Sequence, residues 1–251
     1  EYFRLFVSPD TEEEEKVLAY KGLSLYTAYS HDFYDAFVKD HLDELYELLP
    51  KYLERPYTDS TLSLLKCTFR DKAPSEDIVS GICDVIAMTL DEDQHPTDTL
   101  NNAMELLYYT LKEYSDNIPT IINHSVFQTG RLTQGLILEL IFTDYTLPLY
   151  SMTLDMLTIL YSQPESETCL YINDLNVLMS DVFPSLCRAN NGVVDAVLKK
   201  ECRALTVMVT IAIQHSIYEQ IPSFIESLES LIASNDDVDE VKQLLDLSTS
   251  A

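Results

Sequence analysis

Residues 193–215 read VVDAVLKKECRALTVMVTIAIQH. The stretch is rich in Val, Leu, Ala and Ile, and its length suits a helix rather than a strand. Asn190-Asn191-Gly192 before it is a clear break. The same pattern extends outward in both directions. Asp174 reads as the N-cap of a helix over Leu175–Leu186, Pro148 starts one over Leu149–Tyr161, and Leu132–Phe142 is almost continuously apolar, as suits a helix buried on several sides. Two more helices follow, at roughly Tyr218–Ala233 and Val238–Leu247.

The amino-terminal half reads the same way. Thr11-Glu12-Glu13-Glu14 fits a capping box, which makes the acidic run Glu12–Glu15 a solvated helix start rather than a binding motif. That helix continues through Val17, Leu18, Leu25 and Ala28. From about Asp32 a second carries Phe33, Phe37, Leu42, Leu45, Leu49 and Leu53 along one face, interrupted or kinked at Pro50 and ended at Pro56. A short helix from Ser60, one opened by Pro74-Ser75-Glu76-Asp77, and one capped by Thr97 or Asp98 come next. Asp91–Pro96 between them reads as a polar connection without the ligand pattern of a calcium loop. Pro119 starts a further segment. About eleven helices with short links and no convincing strand predict an all-α fold, an armadillo/HEAT-like α-solenoid forming a single domain over 1–251. Blocks of about forty residues beginning near Thr97, Leu147 and Val193 lie in the armadillo/HEAT range.

Five glycines in 251 residues leave little material for hairpins or phosphate loops. A net charge of −26 repels phosphate backbones and anionic lipid heads, so neither nucleic acid nor membrane insertion is expected. Cys67, Cys83, Cys169, Cys187 and Cys202 sit in apolar helical runs, as free thiols do in a reducing, cytosolic compartment. The chain does not begin with Met, which reads as a piece of something longer, and Glu1–Phe6 does not read as a signal peptide. Asn123-His124-Ser125 fits the glycosylation pattern by chance.

The motifs of chemistry are missing. There is no nucleotide-binding glycine motif, no H-E-x-x-H and no G-x-S-x-G, so no enzyme and no cofactor is expected. His31 with Asp35, or His41 with Asp43 and Glu44, read as surface residues rather than metal ligands. The sixteen tyrosines suit both packing and interfaces. Arg188, Lys199, Lys200 and Arg203 give 182–215 a local excess of cations, a candidate partner-binding patch for an acidic surface. The plainer reading makes the last three the wet face of one helix.

Within 149–232, the segment LYSMTLDMLTILYSQPESETCLYINDLNVLMSDVFPSL contains Tyr171-Ile172-Asn173-Asp174-Leu175-Asn176-Val177-Leu178, and RALTVMVTIAIQHSIY follows at Arg203–Tyr218. Both resemble the leucine-rich domain of the WISH/DIP/SPIN family, the similar part spanning roughly 132–232. The resemblance implies an armadillo-like domain that activates the seven-subunit actin-related-protein (Arp) complex without a preformed filament. Linear filaments would then seed branched networks at cytoplasmic, cortical endocytic actin patches, with actin engaged indirectly. The absence of Trp and of a Pro-rich tail agrees with that mode of action. Asp174 as an N-cap and Asn173 as a turn residue give the motif a purely structural reason. The alternative is a scaffold or cargo adaptor of the same fold that binds peptides or protein partners.

Overall fold

The computed structural model describes residues 10–54, 56–92 and 97–250, the side chains of 13, 31, 36, 37 and 92 excepted. Glu1–Phe6, most of the Asp91–Pro96 connection, and the side chains of His31 and Phe37 therefore lie outside the described residues. The described chain is all-α, without a strand among those residues. It forms two compact units, 1–124 and 125–251.

In the first unit we label α1 (Glu13–Tyr29), α2 (Leu42–Leu48), α3 (Thr58–Thr68), α4 (Glu76–Glu92), α5 (Asp98–Glu113) and α6 (Ile118–Asn123). The helices alternate between two layers. α1 packs on α3 and α3 on α5, while the 3-10 turn Leu49–Tyr52 packs on α4 and α4 on α6. Apolar residues such as Leu62, Leu65, Ile82, Ile86 and Leu107 fill the space between. Thr97 caps α5, its side chain accepting from the Leu100 amide.

Three expectations here change. The N-cap of α1 is Glu12, and its side chain makes no cap hydrogen bond, so the Thr11 capping box is not formed. The single helix expected from Asp32 is broken into a turn at His31–Phe33, a π turn at Tyr34–Val38, a 3-10 turn at Lys39–His41 and then α2. α4 also runs through Asp91 to Glu92, so the connection begins later than its polar composition implies.

The second unit contains α7 (Arg131–Phe142), α8 (Pro148–Tyr161), α9 (Ile172–Val177), α10 (Phe183–Ala189), α11 (Ala196–Gln214), α12 (Pro222–Ser234) and α13 (Asp239–Thr249). It uses the same two-layer plan. α7, α9–α10 and α12 form one layer, and α8, α11 and α13 the other. α9 passes into α10 through a π turn, Leu178–Val182. Asn191 and Gly192, both at positive φ, end α10 where Asn190-Asn191-Gly192 marks a break.

The repeat is visible in the bonds that join neighbouring hairpins. In the first unit Lys66 Nζ reaches Asn102 Oδ1 at 3.0 Å, 36 residues on, and Thr99 donates to Asp59 at 2.7 Å across 40. In the second, Asn235 bonds to the Val194 amide and the Gly192 carbonyl across 41 and 43 residues. Three of these separations fall in the ~40–47-residue period of HEAT and armadillo repeats, and the Lys66–Asn102 bond lies just below it. The packing of α7 on α8, α9–α10 on α11 and α12 on α13 corrects the phase of the expected blocks. The hairpins of the second unit start at α7 and α9, so Leu147 and Val193 begin the second helix of a pair rather than the first.

Asp174 is not an N-cap. Tyr171 holds that position, and Asp174 lies inside α9 with its carboxyl buried. The Tyr171 ring covers Gly130, where a Cβ would meet ring carbon at 2.5 Å and where φ is +74°. This close approach is one that a glycine allows. Tyr171 thus ties the start of α9 to the segment leading into α7.

Candidate functional site

The cationic patch comes first, because the sequence singles it out. Lys199, Lys200 and Arg203 lie in the opening turns of α11, whose cap is Asp195, accepting from the Leu198 amide at 2.8 Å. Lys200 Nζ is 2.6 Å from Asp155 Oδ2 on α8. Lys199 pairs with Asp237 and lies 3.9 Å from Glu240. Arg203 Nη2 is 2.7 Å from Glu240 Oε1. The Arg203 guanidinium is the main reason the Glu240 carboxyl is held below its usual range. Each of the three cations therefore meets an acid of its own chain. They fasten α8, α11 and α13 into one layer rather than standing as a bare wet face. Arg188 lies on α10, in the other layer, and donates to Ser185 Oγ at 2.9 Å.

Among the described residues the histidines and cysteines form no centre of their own. His124 lies 3.2 Å from Asp84 Oδ1 and His215 3.4 Å from Glu167 Oε2. Among the described residues no three of His, Cys, Asp and Glu are grouped to hold a metal. Burial pushes the Cys83 and Cys187 thiols up to about 12 and Cys202 up as well, so these sulfurs stay protonated at neutral pH.

Three acids are buried in the second unit: Glu139, which accepts from the Thr143 hydroxyl, Asp174 and Glu201. Glu201, on the inward face near the start of α11, is buried with the Tyr150 hydroxyl beside its carboxyl. Burial pushes its pKa up to about 8, against a smaller opposing effect of the Tyr150 hydroxyl. Burial likewise raises Asp174 to about 6. Tyr161, bonded to Thr133 at 2.7 Å, lies beside Asp174.

A groove of about 620 Å³ opens on the same unit, between the α7 end, the α7–α8 link and the π turn with α10. Leu140, Ile141, Val182 and Leu186 give it an aliphatic floor, and Tyr150 backs it. The Tyr145 hydroxyl spans it to the Ala189 carbonyl at 3.4 Å. Asp144 and Asp181 carry exposed carboxylates at its rim, and its lining residues include no Lys or Arg. Asp144 accepts from both the amide and the hydroxyl of Thr146, which holds its carboxyl below the usual range. Ile141 is 48% exposed, and Phe142 and Leu147 are each 51% exposed beside it.

One solved structure is similar to the whole chain. It is the crystal structure of an engineered protein, a Northeast Structural Genomics Consortium target, with 15% identity, a TM-score of 0.55, and coverage of 99% of this chain and 96% of that one. At that identity the likeness shows the fold alone. No family model and no curated protein matches the chain. The chain is thus an all-α helical-repeat protein. No helix among the described residues is long and apolar enough to cross a membrane.

The sequence reading does not single out the groove, yet a signal for it is present. The apolar run Leu132–Phe142 has more hydrophobic residues than one helix face needs. Leu132, Leu136 and Leu140 are buried, and the surplus at Ile141 and Phe142 emerges at the surface.

Proposed function

We propose that this chain is a protein-binding helical-repeat scaffold whose second unit seats a partner in the groove between α7, the α7–α8 link and α10. One observation carries this reading: a formed groove has an aliphatic floor that includes half-exposed Ile141, and Phe142 and Leu147, adjacent in sequence to its lining segment, are about half exposed as well. Clusters of this kind mark interaction sites on soluble surfaces. The exposed surface also takes its shape from stacked helices, which present broad faces for binding.

A narrower reading follows from the resemblance of 171–178 and 203–218 to the WISH/DIP/SPIN domain. In that reading the partner is the seven-subunit Arp complex. The chain binds its active arrangement more tightly than its inactive one and so starts linear filaments without a preformed filament. Converting a mostly inactive complex takes on the order of 5 kcal/mol of differential affinity, within reach of an interface of about 1,600 Å² with good hot spots. The position of the motif supports the idea, because α9 leads through its π turn directly into groove residues Asp181 and Val182.

The test is fluorescent-actin polymerisation with purified Arp complex and no filament seeds. Acceleration that needs both proteins, yields unbranched filaments and is lost in Ile141→Asp is the expected result. Curves that overlay the complex-alone control well above micromolar concentration discard the Arp reading. The scaffold reading is then judged by peptides selected against the chain from a random library. It fails if none of them loses affinity for Ile141→Asp.

A further inference from the structure

Resting on that reading of the groove, we propose that its occupant is a basic amphipathic helix of the partner protein, with aliphatic residues on the groove floor and Lys or Arg over Asp144 and Asp181. The floor selects the apolar face. Leu140, Ile141, Val182 and Leu186 are aliphatic, while the Tyr145 hydroxyl is directed at the Ala189 carbonyl and Tyr150 is buried. Among the lining residues only Tyr145 offers a partly accessible ring, short of the aromatic-lined groove that receives polyproline segments. An added strand has no sheet edge to join among the described residues. A helix laid in a groove remains, reading i, i+3 and i+4 positions.

The rim selects the charge. Asp144 and Asp181 are exposed, none of the lining residues is Lys or Arg, and Arg188 donates to lining residue Ser185 rather than to either carboxylate. Asp144 is moreover fixed in place by its two bonds from Thr146, at 2.9 and 2.7 Å. By contrast, the cations of α11 already face acids of their own chain, so the surface offers an acidic partner little. The overall charge of −26 adds a long-range attraction for a basic segment and a repulsion for an acidic one.

The experiment uses the full chain and three fluorescein-labelled 18-residue peptides, followed by anisotropy at near-physiological salt. One has a Leu face and a Lys/Arg face, the second replaces Lys/Arg by Glu, and the third scrambles the basic peptide so that no apolar face remains. The basic amphipathic peptide is expected to bind at least about tenfold more tightly than either of the others. Asp144→Asn with Asp181→Asn weakens it about tenfold, whereas Glu229→Gln with Asp246→Asn, an equal change of charge on exposed residues outside the groove, leaves it unchanged. Ile141→Asp removes the binding while the helical circular dichroism is kept.

Equal binding of the scrambled peptide, or equal weakening by the two double variants, reduces the effect to bulk attraction and overturns the proposal. If the acidic peptide binds best and Ile141→Asp abolishes it, the groove reading survives and the charge assignment is wrong. If no peptide responds to Ile141→Asp, both fall.

Discussion

Glu201 is a carboxylic acid enclosed in the second unit, where the Tyr150 hydroxyl beside it only partly offsets the cost of burial. Burial makes the charged form expensive, so the folded chain keeps the proton up to about pH 8, whereas an unfolded chain releases it near the ordinary glutamate value. The native state therefore binds more protons across that window, and this group's contribution to stability falls as pH rises through it. Asp174 acts with the same sign up to about pH 6. Glu201→Gln keeps the shape and removes the charge. Its unfolding free energy from urea titration is expected to lie close to the parent's near pH 4 and to exceed it at pH 8 by on the order of a few kcal/mol. Parallel pH profiles for the two proteins would refute a buried acid of this kind. None of this is legible in the sequence, because Glu201 stands beside Lys199, Lys200 and Arg203 and reads as part of a charged surface. Helical phase sends its side chain inward while its neighbours remain at the surface. The same limit explains Asp174. Its residue type suits a cap, but Tyr171 takes the cap position and leaves Asp174 facing the core.

Among the elements, what the sequence makes plain is where helices break. Proline and glycine act locally on the backbone, so Pro148, Pro222 and Asn191-Gly192 mark boundaries that the folded chain respects. The π turns at Tyr34–Val38 and Leu178–Val182 have no such marker. They arise where packing shifts the register of a helix, which tertiary contacts decide. The phase of the hairpins is hidden for a similar reason, since each helix meets both its chain neighbour and its counterpart about forty residues away. Within α11, cap and ion pair should be separable. Asp195→Ala removes the acceptor for the Leu198 amide and is expected to lower stability by about 1 kcal/mol. Lys200→Ala breaks a pair whose two side chains are each about 30% exposed, and solvent screening limits the loss to below about 1 kcal/mol. Urea denaturation of both variants checks the ordering, and a larger loss for Lys200→Ala would contradict it.

Over the whole molecule, the charge of −26 is the dominant electrostatic fact. Sixteen Lys and Arg stand against forty-two Asp and Glu, so after the local pairs form, most carboxylates remain without a cation. Their mutual repulsion opposes compaction and is screened over about 10 Å at 0.1 M salt. The melting temperature is therefore expected to rise between about 10 mM and 150 mM sodium chloride. A flat or falling response would mean that the ion pairs joining the helices outweigh the net repulsion. The all-α class was readable from composition and spacing, since scarce glycine and long apolar periodic runs constrain it directly. The groove was not, because it arises where the end of α7 passes beside α10, two elements about forty residues apart.

The bonds that join one hairpin to the next have a kinetic consequence. Each closes a loop of about forty residues, and the longest of those described, from His215 to Glu167, spans 48. The entropy of loop closure grows only slowly with length, and topologies built from such short-range contacts fold quickly. A nascent chain needs only two adjacent hairpins outside the ribosome before the first interlocking bonds can form. Synthesis proceeds at about 5–20 residues per second, so each new hairpin has seconds in which to dock on the one before it. Folding of this chain can thus keep pace with translation, one hairpin after another.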